Sequence, residues 1–162
     1  MKIVGVDLFA GAGGLSLGAE MAGIDVRIAV ENDVYAAQTY RLNHPQTNVI
    51  ADDIKSIDKF YLNNEDNVIV LFGGPPCQGF SIAGPRDMND KRNTLYLAMV
   101  KLAATLKPQA VVLENVPGML QTNGGIGAKR IIEDFAEIGY KMTPKLLYAP
   151  DYGIPQIRKR VF

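Results

Sequence analysis

The chain has 162 residues, 48% of them apolar, which is enough for one domain with a real core and too apolar for disorder. Its 17 basic and 17 acidic residues cancel, so net charge does not mark it as a nucleic-acid binder. The one cysteine excludes an intrachain disulfide and a zinc site built on several cysteines, and no apolar run approaches the roughly 20 residues of a membrane span.

Strand-like and helical patterns alternate along the chain. Ile3 to Val6 reads as a first strand, starting straight after the N-terminus with no signal-like segment before it. Leu15 to Met21 reads as a helix stopped by Gly23, Val26 to Val30 as a second strand, and Val34 to Leu42 as a helix that stops before Pro45. Asn48 to Ile50 is a short third strand, Ile57 to Leu62 a helical turn, and Val68 to Phe72 a fourth strand. Gly79 to Asn93 is polar and carries Gly84-Pro85, so it reads as a mobile loop.

Leu95, Met99, Leu102 and Leu106 fall at helical spacing, and Lys107-Pro108 ends that helix. Ala110 to Leu113 is a fifth strand. Ile131, Ile132, Phe135 and Ile138 mark another helix with Gly139 at its C-terminal cap. Tyr140 to Tyr148 reads as a strand, although Pro144 within it demands an edge or a bulge. Val161-Phe162 looks like the opening of a further strand, so the chain is expected to be a fragment or half of a split polypeptide. The alternation implies an α/β fold: a doubly wound, mostly parallel sheet covered by helices, truncated, in one domain over residues 1–162.

Two groups of residues carry chemistry. The first begins with Asp7-Leu8-Phe9-Ala10-Gly11-Ala12-Gly13-Gly14, a glycine-rich turn between the first strand and the first helix, which lets backbone approach a ligand closely. Glu31 ends the second strand about 20 residues beyond Gly11, the spacing of a carboxylate that reaches ribose hydroxyls. Asp52-Asp53-Ile54 follows the third strand and could meet an adenine edge. Ser16 stands where a dinucleotide fingerprint has Gly or Ala, so an adenosine-containing cofactor other than NAD fits better. Glycines also serve ordinary tight turns. The conjunction of the turn with two acidic strand ends favours a site.

The second group centres on Pro75-Pro76-Cys77-Gln78, a thiol on a Pro/Gly loop just past a buried strand. A lone cysteine is more often a small buried hydrophobe. Here the loop and the acid at the end of the next apolar run, Glu114, favour a nucleophile with an acid partner. Gln156, Arg158 and Arg160 alternate, so on an extended segment they would face one way and suit a phosphate or another anion. The plainer alternatives are a helix-capping acid for Glu114 and a solvated strand edge for the arginines.

These residues resemble the C5-cytosine DNA methyltransferases. Phe9-Ala10-Gly11-Ala12-Gly13-Gly14, Glu31-Asn32-Asp33, Asp53-Ile54, Gly73-Gly74-Pro75-Pro76-Cys77-Gln78-Gly79-Phe80-Ser81, Glu114-Asn115-Val116 and Gln156-Ile157-Arg158-Lys159-Arg160 follow the family's order. Arg92-Asn93-Thr94-Leu95 is similar to the segment that opens the helix after the catalytic loop. The resemblance implies a Rossmann-like fold, S-adenosylmethionine as methyl donor with S-adenosylhomocysteine as product, no metal, and a cytosine flipped from duplex DNA. It implies that Cys77 adds to C6 of the ring, that Glu114 contacts N3 and the exocyclic amine, and that Arg158 and Arg160 support the base and the catalytic loop. Phe9, Gly11, Gly13, Gly14, Leu15, Glu31, Asn32, Asp53, Ile54, Pro75 and Leu95 would hold the cofactor. Gln78, Ser81, Arg92 and Gln156 would meet DNA.

Family members continue with a target-recognition region and C-terminal blocks that do not follow here. The resemblance therefore implies a second polypeptide, or a remainder, that reads the DNA sequence, and little activity for this segment alone. The implied setting is cytoplasmic, on the nucleoid, or nuclear in a eukaryote, with no membrane partner. An RNA cytosine methyltransferase of the same superfamily and a non-catalytic partner subunit are the competing readings, and a dehydrogenase is more distant.

Overall fold

The structure, a computed structural model, describes residues 2–62, 67–76 and 95–162. Cys77, Gln78, Ser81, Arg92 and the loop expected over Gly79 to Asn93 lie outside the described residues. The elements run β1 (Lys2–Leu8), α1 (Gly14–Met21), β2 (Asp25–Val30), α2 (Val34–Asn43), β3 (Asn48–Ile50), β4 (Asn67–Gly73), α3 (Tyr96–Leu106), β5 (Ala110–Leu113), α4 (Ile126–Glu137), β6 (Leu146–Tyr148) and β7 (Lys159–Val161).

Strands β1 to β5 form one sheet in the order β3-β2-β1-β4-β5. β1 pairs in parallel with β2 and β4, and β2 in parallel with β3. β1 is central because it is apolar on both faces: Val4 through Leu8 are all buried, the pattern of a strand covered on two sides. The chain divides into two compact units, Met1–Gly74 with Lys101–Val112 and Pro75–Val100 with Leu113–Phe162. In the first, Val6, Leu8, Val30, Tyr40, Leu71 and Leu102 form much of the core; in the second, Met99, Leu113, Met119, Ile131, Phe135 and Val161 do so.

The helix stops are those the sequence encodes. Gly23 and Gly139 take left-handed φ of 85° and 92° beyond α1 and α4. Gly139 N–H then donates to Ala136 O at 3.0 Å and Tyr140 N–H to Phe135 O at 2.9 Å. Two expectations are corrected. The turn expected over Ile57 to Leu62 is instead a 3₁₀ turn at Ile54–Ser56, because the Asp53 carboxylate accepts from Lys55 N–H and starts the turn earlier. The strand expected from Tyr140 is only Leu146–Tyr148, since Pro144 has no N–H to give a ladder. It pairs antiparallel with β7, which corrects a further expectation: Val161 ends this strand instead of opening one, and Phe162 lies outside it.

Gly73 fixes how closely β4 approaches β1. It pairs with Leu8 in the register, and a Cβ there would run into the Leu8 carbonyl oxygen. The pair closes the β1–β4 ladder, and Leu8 is also paired with Val30 on its other side, so its carbonyl has little room to step aside. Gly73→Ala is therefore expected to cost about 1–3 kcal/mol of stability in urea unfolding; an unchanged midpoint would show that the strands are free to part.

Candidate active site

In the first unit the turn between β1 and α1 is wrapped from outside by its own neighbours. Phe9 and Gly11 adopt left-handed φ of 61° and 56°, and Gly13 caps α1 at φ 93°. Ala10 N–H donates to Val30 O at 3.0 Å, and Gly13 N–H to Ala10 O at 3.0 Å. Gly13 must lack a side chain, because a Cβ would strike the His44 imidazole. A Cβ at Gly11 or Gly14, by contrast, would meet nothing within 4 Å. That open space over bare backbone is what close approach of a cofactor requires.

Glu31, just past β2, is anchored to this turn. Its Oε2 accepts from Gly11 N–H at 2.7 Å and its Oε1 from Asp33 N–H at 2.8 Å. A carboxylate has about four acceptor positions, so each oxygen keeps capacity for a hydroxyl. Asp53 is exposed and spends Oδ1 on the Lys55 N–H at 2.9 Å. Asn32 is exposed, Leu15 half-buried and Ile54 buried. The open glycine turn and a carboxylate held at its edge fit an adenosine-containing cofactor. Among the described residues no group of three or more His, Cys, Asp or Glu is arranged to hold a metal ion.

Beneath the turn lies a buried polar chain that the sequence reading missed. Tyr40 OH donates to Ser16 Oγ at 2.6 Å, and Ser16 Oγ–H donates to Asp7 Oδ2 at 2.6 Å. Asp7 Oδ1 has no partner among the described residues. Burial pushes the Asp7 carboxyl up to about 7, against the opposing effects of the Ser16 bond and of His44. Ser16, read only as a departure from a dinucleotide fingerprint, is thus the residue that satisfies Asp7. The sequence signal was a charged residue inside the apolar run of β1.

In the second unit Glu114, directly after β5, meets both expected arginines. Arg160 Nε lies 2.9 Å and an Arg158 terminal nitrogen 3.3 Å from the same oxygen, Glu114 Oε1. The expectation of one extended segment that points three side chains at an anion is corrected: β7 begins at Lys159, Gln156 lies in an exposed bend before it, and the arginines serve Glu114. Backbone pairing creates this meeting. Asn115 N–H donates to Val161 O at 2.8 Å and Val161 N–H to Asn115 O at 2.9 Å.

The Asn115 side chain extends the same arrangement. Its Nδ2 donates to Pro75 O at 2.9 Å, a buried bond, and its Oδ1 accepts from Val116 N–H at 2.9 Å. Pro75 is buried, two residues before Cys77. Leu95 is half-buried in the turn before α3. From the sequence Asn115 stood only in the matched block with Glu114, without a role of its own; an amide beside an acid at a strand end is a signal that could have given it one.

A family model described as C-5 cytosine-specific DNA methylase matches residues 3–162. The Type II methyltransferase M.DdeI of Desulfomicrobium norvegicum is 44% identical over 97% of this chain and 39% of its own length. The Type II methyltransferase M.FnuDI of Fusobacterium nucleatum is 42% identical over 100% of this chain and 46% of its own length. A solved E. coli prophage protein described as a DNA modification methyltransferase superposes with a TM-score of 0.80 at 36% identity, over 99% of this chain and 45% of its own. The chain thus spans less than half the length of these relatives, and its Rossmann-like methyltransferase fold is shared with the solved one.

Asp7 supplies a pH signature. Its folded-state carboxyl titrates near 7, above the ordinary 3.8, so the folded protein holds a proton that the unfolded chain releases. Stability from this group is present below the ordinary carboxylate range and is lost as pH rises toward 7. Asp7→Asn should remove that loss. Between pH 5 and 8, unfolding free energies of wild type are expected to fall relative to the variant by the order of a few kcal/mol; parallel pH profiles would contradict it.

Proposed function

The chain belongs to the C-5 cytosine-specific DNA methylase family, and we propose that it is the cofactor-binding and catalytic part of a DNA (cytosine-5)-methyltransferase of the restriction-modification type, acting on duplex DNA. The observation that carries this reading is the pairing of Asn115 with Val161 and Pro75. It gathers Glu114, Arg158 and Arg160 beside the segment that leads into Cys77.

The proposed roles follow from chemistry. Cytosine C5 is a poor nucleophile until C6 is attacked. The Cys77 thiolate would add to C6, forming a C–S bond and moving an electron pair through the ring toward C5, with a proton held at N3 through the Glu114 carboxyl. Arg158 and Arg160 fix Glu114 through Oε1, and Oε2 would meet the ring edge. S-adenosylmethionine supplies the electrophilic methyl and S-adenosylhomocysteine is what remains. Loss of the C5 proton and breakage of the C–S bond then restore the aromatic ring and free Cys77. In this reading Glu31 accepts the ribose hydroxyls, the open backbone of Gly11 and Gly14 lies against the cofactor, and Asp53 takes the adenine edge. Gln78, Ser81, Arg92 and Gln156 are the proposed DNA contacts.

Duplex DNA is favoured over RNA because the matched family model describes a DNA methylase and the 36% relative a DNA modification enzyme. Among the described residues no helix is long and apolar enough to cross a membrane.

The test is transfer of labelled methyl groups to mixed-sequence duplex DNA by the chain together with the C-terminal remainder or second polypeptide that the resemblance implies, with transfer RNA as the parallel acceptor. Label is expected at cytosine C5 of DNA. Cys77→Ser should lower the rate by about three orders of magnitude or more, and Glu114→Gln by about 10²–10³-fold. Label appearing in RNA alone, or full activity in the serine variant, would overturn the reading.

A further inference from the structure

The last turn of α2 grips the cofactor turn from outside, and nothing in the proposed chemistry uses it. His44, buried, brings Nε2 within 3.0 Å of Gly13 O, while Nδ1 lies 3.0 and 3.1 Å from the two Glu20 carboxylate oxygens. A carbonyl oxygen only accepts, so Nε2 is the donor. Asn43 Nδ2 donates to Ala12 O at 3.1 Å. The Tyr40 ring packs on the His44 ring, with centroids 4.6 Å apart, and also reaches Ser16 through its hydroxyl.

These bonds act on peptide planes. Because a peptide is planar and trans, fixing a carbonyl oxygen aims the next N–H in the opposite direction. His44 and the Leu17 N–H, at 2.9 Å, share Gly13 O and together fix the Gly13–Gly14 plane. Gly14 is the first residue of α1, so its N–H has no partner within the helix. Asn43 fixes the Ala12–Gly13 plane in the same way. Glu20, on α1 itself, holds the imidazole from its far side, so the clamp closes between the two helices.

We propose that His44 and Asn43 are positioning residues for cofactor binding: the end of α2 sets the peptide planes of the glycine turn, so that Gly14 N–H is presented to an acceptor atom of S-adenosylmethionine. The proposal rests on the cofactor reading above. Its alternative is that His44 merely satisfies a buried site and supports the fold.

Two polar substitutions separate these roles, because each preserves one end of the ring. His44→Gln places an amide near the Nε2 position and keeps a donor for Gly13 O. His44→Asn places its amide near Nδ1, keeps a partner for Glu20 and loses Gly13. Binding of S-adenosylhomocysteine is read by calorimetry, KM and kcat by methyl transfer, and the fold by thermal unfolding. The glutamine variant should bind within about 3-fold of wild type. The asparagine variant should bind about 10-fold more weakly or worse, with KM for the donor raised and kcat little changed, a loss of about 1.4 kcal/mol per tenfold. Asn43→Ala, at an exposed position that tolerates change, should fold normally and bind a few-fold more weakly. Equal affinity across the variants, or equal loss in glutamine and asparagine that follows unfolding temperature, would overturn the clamp alone. A wild-type protein that does not bind S-adenosylhomocysteine would overturn the cofactor reading and the clamp with it.

Discussion

Asn115 is the residue on which the chemistry end of the fold depends. Its backbone pairs with Val161 in both directions, and its side chain reaches back to the Pro75 carbonyl. Segments about 40 residues apart are thereby held to within hydrogen-bond distance. The Pro75 bond is buried, where an unmade bond costs more than a made one contributes, so the segment has little freedom to drift. Glu114 and Arg160 are carried on backbone that this pairing holds side by side, so the acid and its cations start from adjacent anchor points. The acid, its cations and the chain leading to the thiol are one mechanical assembly.

The glycine turn between β1 and α1 is built on a similar logic with different parts. Glycines give it bare backbone, but bare backbone is also mobile. Three groups restrain it: Glu31 on the Gly11 amide, the Tyr40–Ser16–Asp7 chain beneath, and the end of α2 on the Ala12 and Gly13 carbonyls. None of these restraints fills the space over Gly11 and Gly14, where a Cβ would meet nothing within 4 Å. The buried Asp7 costs stability because one oxygen has no partner among the described residues, and sites that hold such a group tend to be functional rather than purely structural.

Much of the architecture was legible in the sequence, for identifiable reasons. The apolar runs of β1, β2 and β4 and the glycines past α1 and α4 are strong local signals, and each appears where periodicity placed it. Boundaries failed where a single polar contact decided them. Asp53 moved a turn from residues 57–62 to 54–56, and Pro144 cut a strand expected over nine residues to Leu146–Tyr148. The grouping of Glu114 with Arg158 and Arg160 came from motif resemblance. The alternation of Gln156, Arg158 and Arg160 suggested an anion, because sequence spacing cannot show that a carboxylate 44 residues before Arg158 already engages both arginines. The joint role of Asp7, Ser16, Tyr40 and His44 was hidden for the same reason: Asp7 and Ser16 entered only as parts of the glycine-rich segment, and the meaning of all four lies in long-range contacts between β1, α1 and α2.

The central claim is that Cys77 forms a bond to C6 of a cytosine in duplex DNA while Glu114 supports the ring. Replacing the C5 hydrogen of cytosine by fluorine tests it directly, since the final proton loss then cannot occur and the C–S bond persists. Mixed-sequence duplex DNA carrying 5-fluorocytosine is incubated with S-adenosylmethionine and the chain completed by its expected remainder or partner polypeptide, digested, and mapped by mass spectrometry. The account predicts a nucleotide adduct on the peptide that contains Cys77, formed only when the methyl donor is present. Methylation of ordinary DNA by a protein that leaves the fluorinated duplex unmodified, or an adduct on any other residue, would contradict it.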